Sequence, residues 1–145
     1  MQDLPHVYSA SAASTPEGEI ALASAGLPAI ASAAPTEFGG PGDRWSPETL
    51  LVAAVADCFT LSFRAVAAAS KLAWLSLDVS ASGTLDKVER ATRFTRLDVR
   101  AALCVPAGVD AARAQRLLER AEQICFISNS LVCPRHLEAR VEVAA

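Results

Sequence analysis

From residue 50 to residue 59 the chain reads LLVAAVADCF, and only Asp57 and Cys58 interrupt its apolar character. A helix that is apolar on almost every side must be buried on almost every side. The residues just before this run form a helix start. Ser46 can cap free backbone N–H groups, Pro47 fits the first turn, and Glu48 suits the positive end of the helix dipole. The spacing predicts a helix from there to about Ser70, with Ser62 one turn after Cys58 and Arg64 on another side. One sheet face cannot cover such a helix. Its far side calls for a second copy of the chain, so a homodimer is expected.

The other segments fit around this helix. "HVYSASAAST" and "EIALASAGLPAIAS" read as strands joined by the turn-like "TPEGE", and "EFGGPGDRW" is a loop. "LSLDVSASGTL" alternates with period two through Leu75, Leu77, Val79 and Ala81. "RFTRLDVRAALCV" does so through Leu97, Val99, Ala101, Leu103 and Val105, with Cys104 on the opposite face and Phe94 out of phase, as at a bulge. Asp110 caps a second helix whose stripe runs Ala114, Leu117, Leu118, Ala121, Cys125. "HLEARVEV" is a last alternating strand. Hairpin-like strands with two inserted helices read as α+β, with antiparallel sheets.

With 145 residues, the chain suits a single domain, residues 1–145, with a real core. A net charge of −3 gives no electrostatic case for a nucleic acid or an anionic membrane. The longest nearly uncharged apolar segment, residues 50–56, falls short of the ~20 residues of a bilayer span. The start "MQDLPHVYSA" lacks the basic and apolar blocks of a signal peptide. A cytoplasmic location is therefore expected, where a disulfide usually means redox chemistry.

The four cysteines include no close Cys-x-x-Cys pair. Two stand in similar settings, Cys58-Phe59 and Cys125-Phe126. They read either as small apolar core fillers or as two halves of one redox reaction. Cys104 on an outer strand face and Cys133 in a loop read as ordinary. Cys133-Pro-Arg-His136 is half of a zinc pattern without a second half, so no metal and no cofactor are expected.

"SPETLLVAAVADCF" resembles the helix signature of the OsmC/Ohr family of thiol-dependent hydroperoxide reductases, and "AEQICFISNSL" resembles its second signature, usually Cys-Pro-Val-Ser-Asn. The order of elements matches too. The resemblance implies the OsmC-like fold, an intertwined homodimer and a peroxidase acting on organic hydroperoxides. It implies that Cys58 is the peroxidatic thiol, forming a sulfenic acid, and that Cys125 resolves it to a disulfide. A dithiol reductant, often lipoyl-type in the family, would reopen that bond. Glu48 matches the family's carboxylate. It stands ten residues before Cys58, about 15 Å along a helix, so it would act across the dimer. The family's arginine is absent: residues 1–43 contain none, and its OsmC position holds Phe38. Arg44 is the remaining candidate for that role. An OsmC-fold protein that binds an apolar ligand, or senses redox state, without turnover is the alternative.

Overall fold

The computed structural model describes residues 2–145, and the chain divides into two compact units, Met1–Leu50 and Leu51–Ala145. In the first, β1 (Ser11–Ala13), β2 (Ile20–Ala23) and β3 (Ile30–Ser32) form an antiparallel meander in that order. The first expected strand is shorter than its sequence pattern, and the second is two strands. Gly26 takes φ +76 and Leu27 N–H donates to Ser24 O at 3.1 Å, so the chain reverses where Ala and Ser had left no alternation to read. A short 3-10 turn, Thr36–Phe38, follows. The loop beyond it is tied back to β3 by Ala33 N–H donating to Trp45 O at 2.9 Å. Gly40 is required there, because a Cβ would sit 1.6 Å from Ala34 O.

The long helix α1 (Pro47–Ala69) begins as the sequence predicts. Thr49 N–H donates to Ser46 Oγ at 3.1 Å, and Ser46 N–H donates to Thr49 Oγ1 at 2.8 Å, a reciprocal cap. The helix ends with Leu72 N–H on Ala67 O at 2.9 Å and Lys71 N–H on Ala68 O at 3.1 Å. Lys71 takes the left-handed conformation, φ 52, that this closure needs.

In the second unit, β4 (Ser76–Val88), β5 (Ala91–Val105) and β6 (Arg135–Val143) form one sheet in the order β4-β5-β6. β4 starts one residue later than the alternation implies, leaving Leu75 exposed. The expected bulge lies in β5. Thr84 pairs with Arg96 and Leu85 with Phe94, so Thr95 is the extra residue. Gly83 makes room for the Phe94 ring, since a Cβ there would meet it at 2.7 Å. β4 and β5 are antiparallel, but β5 and β6 are parallel. The sheet is thus mixed rather than antiparallel throughout, because the chain crosses from the end of β5 to the start of β6 through α2 (Ala111–Ile124) and the one-turn α3 (Phe126–Asn129). Asp110 caps α2, accepting from Ala112 N–H at 2.9 Å.

The core of this unit joins Val55, Phe59, Phe63 and Ala67 of α1 to alternate residues of β5 and to Ala114, Leu118 and Ala121 of α2. Phe63 meets Trp74 edge to face, with ring centroids 5.5 Å apart. Only one stripe of α1 is buried in this way. Over its most apolar window the mean hydropathy is 1.8, yet 28% of that window is buried. By length and composition α1 is long and apolar enough to cross a bilayer, which corrects the reading based on residues 50–56 alone. Its stripe of large side chains in the core is the behaviour of a core helix, while Leu50, Leu51 and Val52 are only half-buried and Leu61 is exposed.

Candidate active site

Cys58 lies near the middle of α1, one residue before the fully buried Phe59, and is half-buried. Its acidic neighbour Asp57 points outward and is exposed. Cys125 ends the apolar stripe of α2 and is 1% exposed. It belongs to neither flanking helix. With φ −64 and ψ 108 it is at once the C-cap of α2 and the N-cap of α3, so the backbone breaks at this cysteine. The Cys125 thiol lies near enough to Cys58 for the Cys58 thiol to act on its ionisation. Both thiols are free. The fold therefore brings together two cysteines that are far apart in the sequence.

Burial pushes the Cys125 thiol above its ordinary pKa. Two groups oppose this: the Ser128 hydroxyl and the Ser128 backbone N–H both favour its ionised form. The Cys58 thiol adds to the rise. Ser128 is itself buried.

The turn around Cys125 is held by polar groups that the sequence reading did not single out. Arg135, the first residue of β6, pairs with Glu122 (Nε to Oε1 2.9 Å) and donates from Nη1 to Asn129 Oδ1 at 2.7 Å. Asn129 Nδ2 donates to Gln123 O at 3.0 Å, and its backbone N–H donates to Cys125 O at 2.9 Å. The only sequence signal was that Glu122 and Asn129 flank Cys125 at one-turn spacing.

In the first unit, Glu48 borders a cavity of about 610 Å³ whose other walls include Ile20, Leu22, Pro35, Phe38 and Leu50. Glu48 Oε2 is buried and has no hydrogen-bond partner among the described residues. Phe38, standing where the resemblance places an arginine, is one of the cavity's apolar walls. Arg44 is not brought to Glu48. It pairs with Glu19 (Nε to Oε2 3.0 Å) and Asp43 (Nη1 to Oδ2 3.1 Å) on the exposed surface. The Glu19 hydrogen bond, with the charge of Asp43, holds the guanidinium even further above neutrality than usual.

Residues 40–139 match the family model of OsmC-like proteins. The chain is 37% identical over 97 residues to an organic hydroperoxide resistance protein of Xanthomonas axonopodis pv. citri, covering 66% of each chain. It is 29% identical over 86 residues to the peroxiredoxin OsmC of Escherichia coli strain K12, covering 59% of each. The matched region thus spans about three-fifths to two-thirds of the length of these relatives. Among solved structures, an OsmC-like protein of unknown function from Vibrio cholerae superposes with TM-score 0.85 at 20% identity, covering 94% of this chain and 100% of that one. An organic hydroperoxide resistance protein from Elizabethkingia anophelis does so with TM-score 0.79 at 22% identity, covering 99% and 100%. These structural likenesses establish the OsmC/Ohr fold. The two signatures around Cys58 and Cys125, the α+β architecture and the family match lead to one assignment: the chain belongs to the OsmC-like protein family.

Proposed function

We propose that the protein is a thiol-dependent peroxidase that reduces organic hydroperoxides. The observation that carries this reading is the proximity of two free thiols, the half-buried Cys58 and the buried Cys125. The Cys58 thiolate attacks the outer peroxide oxygen and the O–O bond breaks. The alkoxide leaves and takes a proton as the alcohol, and Cys58 becomes a sulfenic acid. Cys125 attacks that sulfur, releasing water and closing the disulfide. A small-molecule dithiol of lipoyl type then exchanges with it, becoming a cyclic disulfide and restoring both thiols. The names of the relatives, a peroxiredoxin and an organic hydroperoxide resistance protein, support the substrate class.

Glu48, with its unpaired oxygen on an apolar cavity, accepts a hydrogen bond from the hydroperoxide while the cavity takes the carbon tail. Because about 15 Å of helix separates it from Cys58 of its own chain, it serves the thiol of a second copy. The half-buried and exposed apolar side chains of α1 form the dimer contact. Arg44 steadies the Cys58 thiolate after release from Glu19 and Asp43.

Stopped-flow consumption of cumene hydroperoxide with dihydrolipoamide tests the reading. Wild type turns over. Cys58→Ser does not, and Cys125→Ser gives one turnover and a sulfenic acid trapped by dimedone. Absence of thiol-dependent consumption with any dithiol refutes it. Light scattering checks for the dimer. If Arg44→Ala alkylates at Cys58 as fast as wild type, Arg44 has no place in the site.

A second reading is favoured by two observations. Arg44 is engaged by two carboxylates and Phe38 lines the cavity, which suits an apolar-ligand protein without turnover. A lipid-like molecule retained in native mass spectra, with unreactive thiols, would select it.

A further inference from the structure

We infer that Arg135 is a positioning residue for Cys125: its guanidinium clamps both sides of the turn that carries the thiol and holds the sulfur against Cys58. The cysteine sits at a backbone break, where neither α2 nor α3 fixes its direction by helical hydrogen bonding on both sides. Its own N–H reaches Glu122 O only at 3.4 Å. A single cation bridges the break instead. Arg135 takes the Glu122 carboxylate on the α2 side at 2.9 Å and the Asn129 amide oxygen on the α3 side at 2.7 Å. Asn129 passes the constraint on, donating its amide to Gln123 O at 3.0 Å and its N–H to Cys125 O at 2.9 Å.

The clamp has an anchor. Arg135 opens β6, and the buried Leu97 of β5 is its register partner. Leu97 N–H also donates to the carbonyl of the preceding Pro134 at 3.0 Å. The guanidinium and carboxylate are 25% and 21% exposed, so water weakens this pair less than the open surface pairs of the same sheet. The planar guanidinium fork is what makes the bridge possible, because a lysine has the charge but cannot reach a carboxylate and an amide in fixed directions. Disulfide closure is strict in geometry. A displacement of about 1 Å in such a reacting pair can lower its rate a hundredfold.

The inference rests on reading Cys125 as the thiol that closes on Cys58, but its test needs no peroxide. The full-length protein is equilibrated in glutathione buffers, and the Cys58–Cys125 disulfide is quantified by alkylation and peptide mass spectrometry. Closure passes two electrons and two protons to glutathione disulfide, leaving two glutathione molecules. The midpoint gives the effective concentration of one thiol toward the other. We expect Arg135→Met to lower it about tenfold or more, Glu122→Gln to lower it less, and Arg135→Lys to recover part of the loss. Phe63→Leu, a destabilised control away from the turn, leaves it unchanged. If Arg135→Met does not fold, Asn129→Ala carries the test and should show the same loss. Wild-type values in the clamp variants overturn the inference, as does an equal drop in Phe63→Leu. A wild-type disulfide that obeys the clamp without hydroperoxide turnover sinks the peroxidase reading alone. A wild type that closes no disulfide sinks both.

Discussion

Replacing Glu48 with methionine should make the protein more stable and less active. Methionine has a similar reach and helix propensity but no polar atom to bury. The structure leaves Glu48 Oε2 buried without a partner beside an apolar cavity. A buried polar group left unsatisfied costs about 1–3 kcal/mol, and more when charged. Against this, a carboxylate in the first turn of α1 gains about 0.3–1 kcal/mol from the helix dipole. The difference favours Glu48→Met by about 1–2 kcal/mol. For a chain of this size that is roughly 3–6 °C in Tm, well within reach of differential scanning calorimetry at neutral pH. On the peroxidase reading the same variant loses hydroperoxide turnover, because the acceptor for the peroxide is gone. A Tm at or below wild type would refute the reasoning: it would mean that Oε2 already has a partner in solution.

Three further perturbations follow from local geometry. Lys71→Gly should stabilise the protein by about 1 kcal/mol, since a lysine holds a left-handed conformation that glycine adopts freely; chemical denaturation reads this directly. Gly83→Ala should destabilise it by about 1–3 kcal/mol, because the new methyl would lie 2.7 Å from the Phe94 ring and 3.1 Å from Val52 Cγ2; an unchanged urea midpoint would show that the ring moves aside cheaply. Stability should also fall at alkaline pH through Cys125. Its folded-state pKa lies above the unfolded value of 9.0, so the native state holds the proton longer; this contribution is complete below pH 9 and is lost as pH rises through the folded value. Denaturation between pH 7 and 10 should show a shallower decline in Cys125→Ser than in wild type.

What the residues disclosed depended on how local the deciding interaction was. The caps at Ser46 and Asp110, the β5 bulge betrayed by Phe94, and the alternation of Leu97 through Val105 are set by neighbours a few positions apart, and all were legible. The inward direction of Cys125 was legible too, because it completes the stripe of Ala114, Leu118 and Ala121. The split of β2 from β3 was hidden, since strands of Ala and Ser present no polar face to alternate with. The parallel pairing of β5 and β6 was hidden because partners such as Leu103 and Val141 meet only across α2. The clamp on Cys125 was hidden for the same reason: Arg135 belongs to a different element from Glu122 and Asn129. The spare length of α1 was misjudged by stopping at Ala56, although Asp57 is a single charge that simply faces outward.

The order in which the two thiols react follows from their surroundings. A thiol attacks as the thiolate, and burial disfavours that form. Cys125 is 1% exposed and its pKa is raised by burial first and by the Cys58 thiol last, whereas Cys58 is only half-buried. On the peroxidase reading this asymmetry sets the direction of the chemistry. Cys58 meets the hydroperoxide while Cys125 still carries its proton. That proton is then available to the hydroxyl leaving the Cys58 sulfenic acid as water. The Ser128 hydroxyl and N–H favour the ionised sulfur as its charge develops. Iodoacetamide labelling of the reduced protein at pH 7.5, followed by peptide mass spectrometry, should therefore modify Cys58 at least tenfold faster than Cys125. Replacing Ser128 with alanine should slow disulfide closure in Cys58-oxidised protein without slowing Cys58 labelling. Equal labelling of the two thiols, or faster labelling of Cys125, would reverse the assignment of attacking and resolving roles.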